Sequence, residues 1–242
     1  MSKINQAFIL AAGRGERMRP FTNRTPKPLA KIKGKAIIDY IIEKASALPT
    51  IQKIIINTYY LAELLEAHIQ SLHNSKIIIS CEIEKLETGG GLVNAMPLFD
   101  QDQPLLIING DLFWLDHHNL LLQRMINEFD EQKMDILLAL KPKNQFFGYE
   151  GDGDFNFDKI TGKITKTSNQ HHSHSYIGIQ IIHPRILKDR PADKIFSLNY
   201  FFKQAQTDGG ALKRVQAIEV EEQVFHIGTM PHLLSINAIS TL

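Results

Sequence analysis

Several things are scarce in this sequence, and each shortage removes a class of answer. Cys81 is its one cysteine, so no intrachain disulfide can form, and a reducing compartment is the expectation. Cys81 lies in the apolar run Ile77–Ile83 and reads as a small core residue. No apolar stretch reaches the ~20 residues of a membrane span. The segment before the first apolar run is too short for a secretory leader, so a cytoplasmic protein is expected. A formal net charge of +1 offers no bulk field to nucleic acid or membranes. Internal repeats, low-complexity segments and long linkers are missing too, which excludes solenoids and tethered arrays.

What is present is ordinary for a globular α/β chain. Its 242 residues suffice for one core burying about 70–75% of the unfolded surface. Apolar runs at Ala7–Ala12, Lys53–Asn57, Ile77–Glu82, Pro104–Asn109 and Asp135–Lys141 predict strands. Between them, helical spacing predicts helices over Ile37–Leu48, Tyr59–His73 and Asn119–Phe129, with a short one ending at Leu98. This alternation argues for a mostly parallel sheet with right-handed crossovers. After Lys141 the rhythm changes. A turn at Thr161-Gly162 and strands over Tyr176–His183, Leu212–Val220 and Gln223–Ile227 predict an antiparallel addition. Helices over Ile195–Gln206 and Met230–Ile239 complete the expectation. One domain over 1–242 is expected, with the parallel alternation forming a first half to about 141 and the altered rhythm a second half after it. Ligands of such sheets sit beyond the carboxyl ends of the parallel strands.

The first strand runs into Gly13-Arg14-Gly15, followed by Arg17, Arg19, Arg24 and Lys27. Glycines allow close backbone approach, and successive N–H groups in such a turn form an anion nest. A phosphate-rich ligand fits, and so does a solvated basic loop. There is no G-K-[ST], and Met18 stands where a dinucleotide fingerprint needs its third glycine. Pro20, Pro26 and Pro28 prevent a long helix, so the loop is expected to run extended and bring Lys27 back to the turn. Asp111 leaves an uncharged strand and could ligate Mg²⁺ or merely cap a turn. Leu86–Gly91 holds three consecutive glycines. These have no evident packing value and suggest a turn passing close to something flat. His171-His172-Ser173-His174 reads as an exposed loop, and Asp152-Gly153-Asp154 as a turn.

Leu10–Met18 followed by Pro26-Lys27-Pro28-Leu29 resembles the signature of sugar-1-phosphate nucleotidyltransferases. Glu87–Gly91, Gly110-Asp111, Tyr176–Ile181 and Phe225–Thr229 follow in that family's order. The resemblance implies a Rossmann-like, nucleotide-diphospho-sugar transferase type of fold. It implies transfer of a nucleotidyl group from a nucleoside triphosphate to a sugar 1-phosphate, with Mg²⁺ or alternatively Mn²⁺. Arg17, Lys27 and Asp111 would be catalytic. Leu10, Ala11, Ala12, Gly13, Arg14, Gly15, Glu84, Thr88, Gly89 and Gly90 would hold the nucleotide. Glu87, Asn109, Gly148, Tyr176 and Gly178 would hold the sugar, and Asp111 with His226 the metal. Two departures stand out. His226 occupies the place of an acidic metal ligand, and the sugar-holding E-K-P segment is missing from the region of Lys159–Lys166. The strings G-R-G-E-R-M-R-P and L-E-T-G-G-G are most similar to the branch that uridylylates N-acetylmuramate α-1-phosphate in cell-wall recycling. Mannose-1-phosphate guanylyltransferases and glucose-1-phosphate uridylyl- or thymidylyltransferases share most of these motifs, and a catalytically weak sugar-nucleotide sensor is the reading of another class. A monomer or small homo-oligomer, with no nucleic-acid or membrane partner, is expected.

Overall fold

The computed structural model describes residues 4–116, 120–166, 171–206 and 211–240. In chain order the strands are β1 (Gln6–Leu10), β2 (Lys31–Ile32), β3 (Lys35–Ala36), β4 (Lys53–Thr58), β5 (Ile77–Cys81), β6 (Leu105–Asn109) and β7 (Leu112–Leu115). Then come β8 (Ile136–Pro142), β9 (Asn156–Phe157), β10 (Lys163–Thr165), β11 (His174–Ile182), β12 (Ala211–Glu219) and β13 (Gln223–His226). The helices are α1 (Ile37–Ser46), α2 (Ala62–Ser71), α3 (Glu87–Ala95), α4 (Leu120–Glu128), α5 (Asn199–Ala205) and α6 (Met230–Ala238).

Nine strands form one sheet in the order β5-β4-β1-β6-β11-β8-β12-β10-β9. β5, β4, β1 and β6 are parallel neighbours; β11 runs against both β6 and β8, and β10 runs against β12 and β9. The remaining strands share one direction, so the sheet is mixed and mostly parallel. Chain order reverses at β1, with β4 on one side and β6 on the other. That reversal opens a crevice at the carboxyl ends of these strands.

Alternation along the strands builds the core on both faces. Ile54 and Ile56 pack with Ile9, Ile38 and Ile41 on one face. Ile55 packs with Phe8, Leu92 and Phe201 on the other. β7 pairs with β13 in a small separate ladder, His226 opposite Leu112. This ladder carries the chain end back beneath the strand-end crevice.

The structure corrects several expectations. The glycine run is not a turn: it forms the first turns of α3. The proline-rich loop is not extended but winds through three 3₁₀ turns, Glu16–Met18, Phe21–Asn23 and Lys27–Leu29. α2 starts only after Leu61, which sits at φ 51°, and Leu64 of the expected apolar stripe is 49% exposed. The helix expected from Ile195 begins at Asn199. Upstream, the Phe196 carbonyl accepts from the Gly89 and Gly90 N–H groups, and the Phe196 N–H donates to the Leu86 carbonyl. A backbone committed to those partners cannot coil. Cys81 is exposed, because β5 is the sheet edge and Cys81 is its last residue. His174 belongs to β11 and meets Glu219 at 3.0 Å, and His172 is buried, so that cluster is not wholly a loop. Asn119, expected to open a helix, lies outside the described residues.

Candidate active site

The crevice is a cavity of about 460 Å³ lined by Leu10–Arg17, Lys27, Pro28, Asn57, Glu82, Lys85, Glu87, Thr88, Asn109–Asp111 and Gly228. Strand ends form its floor, and side-chain bonds hold them together. The Ala11 N–H donates to Asn57 Oδ1 (2.7 Å), and Asn57 Nδ2 donates to Glu82 Oε1 (2.7 Å). One side chain thus ties the ends of β1, β4 and β5. On the other side the Gly110 N–H donates to the Leu10 carbonyl (2.8 Å). Burial pushes the Glu82 carboxyl up, while its hydrogen bonds to Asn57 and the Leu86 backbone oppose that shift.

Gly15 shows why the turn needs glycine. Its φ is +61°, and a Cβ there would meet Thr22 Cγ2 at 2.9 Å and Lys27 Cβ at 3.0 Å. The missing side chain lets the buried stem of Lys27 pass. Lys27 Nζ lies 2.6 Å from Asp111 Oδ2, and His226 Nε2 lies 3.5 Å from the same oxygen. Burial alone would raise the Asp111 pKa, but the Lys27 charge and His226 hold it well below the usual carboxylate range. The pair with Lys27 thus favours the ionised form of Asp111. Arg17 reaches the cavity over Gly228, where a Cβ would stand 3.0 Å from Arg17 Nη2. Arg14 bonds the Tyr59 hydroxyl (3.3 Å), and Lys85 pairs with Glu87 (2.6 Å).

A second cavity of about 250 Å³ joins the first at Asn109 and Asp111. Phe146, Tyr149, Phe155 and Phe202 line it, with Asp154, Lys166, Tyr176, Ile177, Gly178, Asn199 and His226. Gly178, at φ +94° beside an irregularity in the β11–β8 ladder, leaves room for Asn109, whose Nδ2 would stand 2.7 Å from a Cβ. Phe146 and Tyr149 stack at 5.7 Å.

The two lobes bring together most of the residues expected from sequence. Leu10 to Gly15, Arg17, Lys27, Thr88 and Glu87 line the first, Tyr176, Gly178 and His226 the second, and Asn109 and Asp111 both. Glu84 lines neither and pairs with Lys194 on the surface. Gly89 and Gly90 line neither; they serve packing. A Cβ on Gly89 would lie 2.4 Å from the Phe196 ring, and one on Gly90 2.1 Å from the Lys194 carbonyl oxygen. Gly148 lies behind the second lobe, where a Cβ would meet the His226 carbonyl oxygen at 2.3 Å. Sequence reading missed Asn57, Glu82 and Lys85 in the first lobe. Asn57 was within reach: it is a polar residue at the carboxyl end of an apolar parallel strand. No sequence signal marked Lys166 or Asn199, and Asp154 was read only as part of a turn.

A glycine turn at a parallel strand end, with converging cations facing a carboxylate held in its ionised form by Lys27, defines a nucleotide-handling α/β enzyme. The match over residues 6–153 to the family model described as nucleotidyl transferase places the chain, which belongs to that family. It is 33% identical over 228 residues to an N-acetylmuramate alpha-1-phosphate uridylyltransferase of Caulobacter vibrioides, covering 92% of this chain and 91% of that protein. It is 34% identical over 146 residues to a D-glycero-alpha-D-manno-heptose 1-phosphate guanylyltransferase of Aneurinibacillus thermoaerophilus, covering 60% of each. The fold is similar to the crystal structure of HddC from Yersinia pseudotuberculosis complexed with GMP-PN, with TM-score 0.71 and 21% identity over 97% of this chain and 98% of that one. No helix among the described residues is long and apolar enough to cross a membrane.

Proposed function

We propose that the protein transfers UMP from UTP to N-acetylmuramate α-1-phosphate, releasing pyrophosphate, as a step of cell-wall sugar recycling. The observation that carries this reading is the near full-length similarity to the Caulobacter uridylyltransferase. A cleft whose two lobes meet at Asp111 supports it. The triphosphate occupies the first lobe and the sugar phosphate enters from the second, so the two phosphates meet beside Asp111 and Lys27.

A sugar phosphate oxygen is already a nucleophile, so the reaction needs no general base. It attacks the α-phosphorus in line and expels pyrophosphate. The work of the protein is positioning and charge stabilisation. The N–H groups of the Gly13–Gly15 turn and Arg17 hold the leaving phosphates. Lys27 sits between the reacting phosphates. A cation ~4 Å from developing charge contributes ~4 kcal/mol at an effective dielectric constant of 20, nearly three decades in rate. Glu87 and Thr88 border the ribose side of the first lobe, and Asn109, Tyr176 and Gly178 orient the acceptor.

The donor set suits a divalent cation that takes its remaining ligands from phosphates and water. Asp111 supplies an ionised carboxylate and His226 an imidazole 3.5 Å from it. Among the described residues no group of three or more acidic, histidine or cysteine side chains forms a self-sufficient cage. Asp111 and His226 would hold Mg²⁺, or Mn²⁺, which imidazole suits better; the ion would add positive charge where the phosphates react. The similarity to a guanylyltransferase makes GTP the rival donor. Pyrophosphate release should be measured with UTP, dTTP, GTP and CTP against a panel of sugar 1-phosphates, in Mg²⁺ and in Mn²⁺. The highest kcat/KM is expected for UTP with N-acetylmuramate α-1-phosphate. A preference for GTP with a neutral hexose 1-phosphate would replace this reading.

A further inference from the structure

The first lobe has Arg14, Arg17, Lys27 and Lys85 on its walls, enough cations for a triphosphate and the phosphate that attacks it. The second lobe nevertheless carries a cation of its own, Lys166, which follows β10. A neutral sugar gives that charge nothing to meet. Lys166 Nζ sits 5.2 Å from the centroid of the Phe155 ring, and no salt bridge to it occurs among the described residues. Neither acidic group of the lobe forms a salt bridge with Lys166 among the described residues. Asp154 Oδ2 accepts from the Tyr176 N–H (2.9 Å), and Asp111 is paired with Lys27. An ammonium resting on an aromatic face, with no carboxylate partner, is available to an incoming anion.

A second observation points to a polar ligand beside the same wall. Tyr176 borders the lobe, and its hydroxyl is buried without a hydrogen-bond partner among the described residues. Buried polar groups in folded proteins normally have partners, and exceptions call for an explanation. Here the explanation is a polar substituent supplied by the acceptor. The neighbouring Phe155 and Phe202 rings give apolar walls, which suit the methyl groups of an acyl or lactyl substituent.

We infer that Lys166 selects acceptor sugars bearing a carboxylate on a ring substituent, in addition to the 1-phosphate. The inference rests on the assignment of the acceptor to the second lobe. N-acetylmuramate carries such a group on its lactyl ether. N-acetylglucosamine α-1-phosphate is the same molecule without that ether, so the pair isolates the carboxylate.

The test measures kcat/KM for both acceptors with UTP, in wild type, Lys166→Met and Lys166→Arg. Wild type is expected to favour the acid-bearing sugar. Lys166→Met should lower the ratio of the two values about 10- to 100-fold, the size of one charge-assisted contact, and Lys166→Arg should keep most of it. Equal losses for both sugars in Lys166→Met would overturn the inference, since Lys166 would then hold the shared phosphate or support the lobe. A wild-type preference that survives in Lys166→Met would overturn it alone and leave the proposed function standing. Failure of wild type to use either sugar would sink the proposed function together with it.

Discussion

The two lobes of the cleft are built in different ways. In the first, strand ends are bonded to one another before any ligand arrives: Asn57 ties β1, β4 and β5, and Gly110 is bonded back to Leu10. Two of its cations are paired as well, Lys27 with Asp111 and Lys85 with Glu87. In the second, aromatic rings form the walls, and the buried Tyr176 hydroxyl stands without a partner among the described residues. Under the proposed function, the difference follows from the chemistry each lobe would do. Phosphoryl transfer gains most from donors fixed in advance, because they need no reorganisation as charge develops. Recognition of one sugar among many gains from polar groups that only the right ligand satisfies, since the wrong one leaves them buried and unpaired. Changes in the first lobe should therefore lower kcat for every acceptor. Changes in the second should alter KM and selectivity.

The sharpest way to break that distinction is Asp111, which both lobes share. Asp111→Asn keeps the shape and removes the charge that Lys27 faces. A loss of kcat of about 10³ or more is expected, by the same factor for all acceptors. Selective loss with one sugar would mean that Asp111 belongs to recognition. Next comes Lys27→Met, expected to lower kcat by about 10²–10³ on the Coulomb estimate at ~4 Å. If KM alone rose, Lys27 would bind ground and transition states alike.

The first lobe was legible in the sequence for the reason that it is rigid. A backbone that must turn, approach phosphates and return leaves glycines and prolines at fixed spacing. Gly13, Gly15, Pro26 and Pro28 marked it before any coordinates did. The second lobe is assembled from β11, the 146–155 segment, the end of β10 and α5. Its residues are far apart in the chain and share no local geometry, so nothing in the pattern flagged Lys166 or Asn199, and Asp154 read only as a turn residue. The glycines of α3 misled for a related reason. Their role depends on Phe196 and Lys194, about a hundred residues away, and close packing between distant segments leaves no period in a sequence. The mostly parallel sheet followed from alternation, though its strand order did not, and β7, four residues long, was too short to register.

α3 offers a third test, because its glycines join the two lobes. A Cβ on Gly90 would stand 2.1 Å from the Lys194 carbonyl oxygen, and that backbone leads into α5 of the second lobe. Gly90→Ala should destabilise the protein by about 1–3 kcal/mol through overpacking, lowering the melting temperature by roughly 3–10 °C. An unchanged melting temperature would show that the 194–198 segment moves freely and that the lobes are not coupled there.

Glu82 probes how dry the first lobe is. Burial raises its carboxyl above the ordinary value. A group raised in the folded state contributes stability below the unfolded carboxylate pKa of ~4.3 and loses it as pH climbs through the folded value. Between about pH 4 and pH 7, wild type should therefore lose stability relative to Glu82→Gln, read as a widening gap between their melting temperatures. A constant gap would mean that water reaches Glu82 and that the first lobe is less rigid than its bonds imply.

The smallest effect is expected at Tyr176, and it tests the second lobe directly. The hydroxyl is buried without a partner among the described residues, and burial raises its pKa further above the ordinary phenol value, so it stays neutral and can donate. Leaving such a group unsatisfied in the free protein costs free energy. Tyr176→Phe removes the cost without opening a cavity, because the ring that meets Phe202 edge-on at 6.2 Å remains. The variant should match or exceed wild type in stability by up to about 1 kcal/mol, a rise in melting temperature of roughly 2–4 °C at most. Its KM for the acceptor should increase about 3- to 10-fold, the loss of one hydrogen bond, with kcat and the KM for the nucleotide unchanged. Stability and recognition then move in opposite directions at one atom, which a purely structural tyrosine would not allow. If instead the variant melts lower and its KM stays put, the hydroxyl supports the fold, and the second lobe is as self-satisfied as the first.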